Sequence, residues 1–392
     1  MSDTHALKGI AWDHQRGAGV LRDISDSWLL DPAFGPSTVT RVDWDARSLQ
    51  SFADASIIDL SRDYDLLVID HPFIGLAARS GAFVPLEQHL PAGYIAGQEA
   101  QSVGRSHRSY QWNGHQWALA MDAAAQVSAF RADLMPRPPS SWRDVLTQAS
   151  DREWRWRFAL PFVPIDALCL FFSICANMGA EPFSDPAVPI HIETGSQAIE
   201  FMAKLTSVVV PDSLQCNPIH VLDRMLESED WAYSPALFGY SNYSRLTLGA
   251  GRVTFAPLPS AGLGGVGGVI GGAGIAVSAT SSHRDDAIRY AAWVCSPQVQ
   301  SGLYVDHGGQ PGSRAAWLDA SVNEVSGDFF ARTLPGLDSG YLRPRYPGFT
   351  DFQDEAGPLL RSGVLNRRNP GDLARALRDL AFSTRTRFSV EA

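Results

Sequence analysis

Three Asp-His pairs carry side chains able to hold or transform a small molecule: Asp13-His14, Asp70-His71 and Asp306-His307. A carboxylate beside an imidazole offers acceptors for hydroxyl groups and a group that takes or gives a proton near neutral pH. The first two pairs follow short apolar runs that read as strands, Lys8 to Trp12 and Leu66 to Ile69. In open α/β sheets ligands sit outside the carboxyl ends of the strands, so both pairs are placed to contact something small. The competing reading is that they tighten turns, His71-Pro72 being a turn-prone pair. No metal is expected, because neither HExxH nor a fixed histidine spacing accompanies them. No catalytic residue is assigned and no cofactor is expected.

Aromatic residues gather at Trp231-Ala232-Tyr233 and at Gly239-Tyr240-Ser241-Asn242-Tyr243-Ser244. Rings with hydroxyls and an amide nearby suit a polyol or sugar, whose C–H faces stack while its hydroxyls need polar partners. Ordinary core packing explains the same residues equally well. Leu342-Arg343-Pro344-Arg345-Tyr346 places two guanidiniums in a turn, able to fork onto a carboxylate, sulfonate or phosphate, or to pair with surface acids. Gly262-Leu263-Gly264-Gly265-Val266-Gly267 formally matches GxGxxG, but a dinucleotide site needs a strand before it and a helix after it. Here prolines precede it and a strand-like run follows, so a flexible or ligand-facing glycine segment is expected.

These residues need a scaffold. Lys8 to Trp12, a helix carrying Leu21, Ile24, Trp28 and Leu29, the alternating run Thr38 to Trp44, and Tyr64 to Ile69 read as a layered α/β pattern. Trp117 to Met121 and Ile275 to Ser278 read as further strands. Ser141 is placed to cap the helix after Pro138-Pro139, and Ser282 with Asp285 resembles a capping box before Ile288. Leu373, Ala376, Leu377 and Leu380 mark a last amphipathic helix. At 392 residues and 45% apolar content, the chain has enough to bury for two or three domains or two lobes. A net charge of −10 argues against nucleic acid and against anionic membrane surfaces as partners. Cys169, Cys175, Cys216 and Cys295 form no CxxC pair, so buried free thiols are expected.

The run Tyr64 to Asp70 followed by Gly81-Ala82-Phe83-Val84-Pro85-Leu86 resembles extracellular solute-binding proteins of the maltose-type ABC-transporter family. So do Asn113-Gly114-His115-Gln116-Trp117-Ala118-Leu119, Phe130-Arg131-Ala132-Asp133-Leu134 with Pro138-Pro139-Ser140-Ser141-Trp142, and Gly274 to Ser278 ahead of the Ala287 to Cys295 helix. The order and spacing of these runs are more specific than any one of them. The resemblance implies an α/β, two-lobe periplasmic-binding-protein-like fold (type II), with a hinge between a lobe of 1–121 plus 275–317 and a lobe of 122–274 plus 318–392. It implies a solute-binding protein of an ABC importer that captures a small polar solute, a saccharide or sugar acid, between closing lobes. An intracellular enzyme or ligand sensor on the same fold is the alternative. The expected ligand contacts are Trp12, Asp13, His14, Trp44, Asp70 and His71 in the first lobe and Asp122 at the crossing. Tyr240, Asn242, Tyr243, Arg345 and Tyr346 are expected in the second. An ABC permease is the expected protein partner, and the chain is expected to be a monomer. The family works in the periplasm or outside the cell. Met1 to Leu7 shows no signal peptide, so a cytoplasmic location is expected if Met1 is the native start. Ala132-Asp133-Leu134 also departs from the family's Lys-Asp-Leu.

Overall fold

Leu66 to Ile69 is apolar on both faces, and the computed structural model shows why. The described residues are 5–36, 38–48, 56–151, 153–154, 157–245, 253–262 and 267–389. They fall into two compact units. Unit 1 comprises residues 1–123, 271–322 and 345–347; unit 2 comprises 124–270, 323–344 and 348–392.

In unit 1, β1 (His5–Trp12) pairs in parallel with β2 (Val39–Arg47) and with β3 (Leu66–Ile69). Helix α1 (Val20–Leu29) follows β1, and α2 (Ile57–Asp63) precedes β3. Successive strand side chains point to opposite faces. Accordingly Leu66 and Val68 enter the core layer that holds Leu21, Ile24, Trp28 and Trp44. Leu67 and Ile69 enter the layer that holds Phe73, Ile74, Phe83 and Tyr110. A parallel strand covered on both sides must be apolar throughout, and each such residue contributes about 1.5–3 kcal/mol by burial. After β3, the 3₁₀ turn His71–Phe73 leads into α3 (Ile74–Ser80).

Two long strands pass from one unit to the other. The strand β4 (Leu119–Arg131) is buried along its whole length, well beyond the short strand expected at Trp117 to Met121. In unit 2, β4 runs antiparallel to Tyr233–Phe238 and to Val253–Ala256. The other long strand, β5 (Gly267–Val277), starts earlier than the expected Ile275, and its glycines admit close neighbours: a Cβ would collide with Gln126 at Gly268 and with the Tyr110 ring at Gly274. Its last residues pair antiparallel with β3. Residues Leu263 to Val266 of the GxGxxG match, and Met1 to Thr4 of the N-terminal segment, lie outside the described residues.

Unit 2 is built around α4 (Pro164–Asn177), a helix buried on nearly every side. Such a helix is apolar all round because it has no solvent face. Phe172 lies within 6.4 Å, centroid to centroid, of Phe183, Tyr341, Phe349 and Phe352. Helices Phe349–Leu365 and Pro370–Ser389 complete this unit, the second containing the amphipathic run expected from Leu373 onward. Ser141 caps the helix Trp142–Ser150, accepting from the Asp144 amide at 3.1 Å. The capping box expected at Ser282 is absent: His283 occupies the cap position of Arg284–Val294 and makes no side-chain cap bond. Among the described residues no helix is long and apolar enough to cross a membrane. Cys169, Cys175 and Cys295 are buried free thiols, whereas Cys216 is only half-buried.

Candidate functional site

The parallel strands of unit 1 deliver three polar loops to one side of the sheet. β1 ends at Trp12 and turns through Gln15–Gly19, where the His14 ring Nδ1 accepts from the Arg16 amide at 3.0 Å. Gly17 is required here, because a Cβ would collide with the Trp12 carbonyl and indole. The Asp13 amide donates to the Arg47 carbonyl at 2.7 Å, and Arg47 Nη2 donates to the Val68 carbonyl at 3.2 Å. Arg47, which the sequence reading passed over, therefore ties the ends of β2, β1 and β3 together. Burial draws its guanidinium down to about 10, still charged at neutral pH.

At the end of β3, Asp70 Oδ1 accepts from the His71 amide at 2.8 Å and stands 3.1 Å from His71 Nδ1. Asp70 keeps some exposure, while the His71 side chain is 0% exposed and meets Tyr110 edge-on at 6.4 Å. His71 thus serves as the buried support of Asp70. Asp13 is exposed and His14 half-buried. The third pair is engaged from the other end of the chain: Gln15 Nε2 donates to the His307 carbonyl at 2.9 Å, and His307 Nδ1 stands 3.7 Å from Asp23 Oδ2.

Three expected contacts are taken up by the fold. Asp122 is buried with both carboxylate oxygens on Arg16, Nε at 2.6 Å and Nη2 at 2.5 Å. Burial holds its carboxyl above the ordinary value, and the guanidinium works against that rise. The pair pins the loop after β1 to β4. Trp44 and Trp12 belong to the core, and the Trp44 indole donates to the Tyr290 hydroxyl at 3.2 Å. Local sequence could not reveal the Arg16–Asp122 pair, because its members are 106 residues apart.

Arg345 and Tyr346, half-buried, belong to unit 1 although the residues around them belong to unit 2. Gly75 of α3 receives the Arg345 carbonyl where a Cβ would collide with it. This contact brings Arg345 to the element that follows Asp70-His71. In unit 2, Tyr240 and Tyr243 meet edge-on at 6.4 Å. The Tyr243 hydroxyl donates to Asp223 at 2.6 Å, and burial raises it above the usual phenol range. Both rings are buried and Asn242 between them is half-buried. Among the described residues, no group of three or more histidine, cysteine or carboxylate side chains could hold a metal.

The model of the family described as bacterial extracellular solute-binding protein matches residues 34–325, about three-quarters of the chain. This chain belongs to that family. Solved structures agree on the fold. An ABC-transporter solute-binding protein from Agrobacterium radiobacter, in complex with ribitol, superposes with a TM-score of 0.80 at 17% identity, over 97% of this chain and 98% of that one. Maltose-bound MalE3 of T. maritima gives 0.80 at 16% identity, covering 97% and 99%. A solute-binding protein from Agrobacterium vitis, with bound D-mannitol, gives 0.76 at 14% identity, covering 97% and 98%. The two-lobe α/β architecture expected from the resemblance is the fold of this solute-binding protein.

Proposed function

We propose that this solute-binding protein captures a small polar solute of the saccharide and polyol class, outside the cytoplasm, and delivers it to an ABC permease. The observation that carries the reading is the polar rim at the carboxyl ends of β1 and β3. Asp13, His14 and Asp70 stand there on short loops that Arg47 and the Arg16–Asp122 pair hold in place. Carboxylates and an imidazole held at preset positions match vicinal hydroxyls, and a rigid rim lowers the ordering cost of binding. The structural neighbours bound to ribitol, maltose and D-mannitol support the same class of ligand.

Recovery of the solute unchanged separates a receptor from an enzyme on the same fold. The test is calorimetric titration with ribitol, D-mannitol, D-glucose and maltose, followed by mass analysis of the recovered sugar. At least one is expected to bind and to return with unaltered mass. Asp70→Asn removes a charged acceptor worth roughly 1.5–3 kcal/mol, so affinity should fall about ten- to a hundredfold. Wild-type affinity in Asp70→Asn would remove Asp70 from the site. A changed mass would make the protein an enzyme.

A further inference from the structure

Arg345 is a partly buried cation to which no anion is supplied among the described residues. Its Nη1 donates to the Arg108 carbonyl at 3.2 Å, and its Nε is shut off from solvent without a hydrogen-bond partner. Burial lowers its guanidinium to about 10, and among the described residues the charge that acts on it is Arg108, a second cation that pushes the same way. Among the described residues no carboxylate opposes these effects. A charge removed from water is unfavourable unless it is paired, and the like charge of Arg108 adds to the deficit.

The place of this cation is equally specific. Gly75 lets the Arg345 backbone lie against α3, four residues after His71. Arg108 lies two residues before Tyr110, whose ring meets His71. The Arg345 backbone and the Arg108–Tyr110 turn therefore both pack near the elements that follow Asp70. Asp70 is not among the charges acting on Arg345, and its Oδ1 is engaged by His71. The turn after β3 carries the Asp70 carboxylate, and the segment packed on α3 carries the Arg345 guanidinium. A guanidinium presents donors in a planar fork that matches the oxygens of a carboxylate or a phosphate.

We propose that Arg345, with Arg108 beside it, receives a negatively charged oxygen group on the solute, so that the ligand is an anionic saccharide. The inference rests on the reading of unit 1 as part of a sugar-binding site. The shared chemistry is an anionic group on a polyhydroxylated carbon frame, found in both sugar acids and sugar phosphates.

Matched series test it: D-glucose, D-glucuronate and D-glucose 6-phosphate, then D-ribose, D-ribonate and D-ribose 5-phosphate, titrated at fixed ionic strength. In at least one series an anionic member should bind tenfold or more tightly than its neutral parent, and the better anion identifies carboxylate or phosphate as the group. Arg345→Gln should lose that preference, weakening the anion tenfold or more while leaving the neutral sugar within about twofold. Arg108→Gln alters an exposed side chain, so it retains the fold and should show a smaller loss in the same direction. Neutral and anionic members bound alike, with Arg345→Gln leaving both unchanged, would overturn the anion site and leave the sugar-binding reading standing. No binding by any member of either series would overturn both.

Discussion

Asp122 in unit 1 and Asp166 in unit 2 are both sealed from solvent, but among the described residues only Asp122 faces a cation. Arg16 grips Asp122 through two short hydrogen bonds. Asp166, on the first turn of α4, has Oδ2 without a hydrogen-bond partner, and burial raises its carboxyl to about 7. A buried charge with a fixed partner becomes scaffold, whereas a buried carboxylate without one takes up a proton at a higher pH than usual. Arg345 is the cationic counterpart of Asp166, with its backbone packed on α3, the helix that follows Asp70-His71. The solute-binding protein thus sets one internally compensated charge against two that lack compensation, and the three should respond differently to substitution.

The largest effect is expected where compensation is broken. Arg16→Met leaves Asp122 buried alone, so stability should fall by about 3–5 kcal/mol. The double variant Arg16→Met with Asp122→Leu should recover most of that loss, since no charge remains to be stranded. Urea unfolding of the two variants decides; a double variant as unstable as the single one would show that lost packing, not the stranded carboxylate, is responsible.

Asp166→Asn should act in the opposite sense. The folded carboxyl titrates near 7 and the unfolded one near 3.8, so wild type is penalised progressively as the pH rises through that window. A rise of about three units corresponds to about 4 kcal/mol. The variant should therefore be more stable than wild type by up to that amount at pH 8, with the advantage vanishing toward pH 4. Thermal unfolding across pH 4–8 measures it, and a constant difference over that range would exclude titration of Asp166 as the cause.

The smallest effect belongs to Arg345→Met. Loss of the bond to the Arg108 carbonyl is set against relief of repulsion from Arg108, so unfolding stability should change by less than about 1 kcal/mol. A loss comparable to that of Arg16→Met would mean that Arg345 is scaffold, compensated in the free protein.

Much of unit 1 was legible along the chain. Leu66 to Ile69 reads as a doubly covered parallel strand, and Asp13 and Asp70 follow strands whose carboxyl ends the fold does place on one side. Hydrophobic periodicity carries that information, because alternation and burial are properties of neighbouring residues. The lengths of β4 and β5 were less legible. Small residues such as Ala123, Ala124, Gly271 and Ala273 give little periodic signal, and their burial comes from elements elsewhere in the chain.

The candidate site divides in the same way. The residue types, and the loops that carry them, follow from local sequence and strand polarity, and so does the absence of a fixed metal-ligand spacing. Which side chains are left to meet a solute does not. Trp44 went to the core, His71 beneath Asp70 and Asp122 to Arg16, each through a partner far away in the chain. Arg343 and Arg345 look equivalent in sequence, yet Arg343 is buried and donates to Gln353, while Arg345 joins Arg108. Charge compensation depends on through-space neighbours brought together by packing, and no local pattern of residue types encodes them.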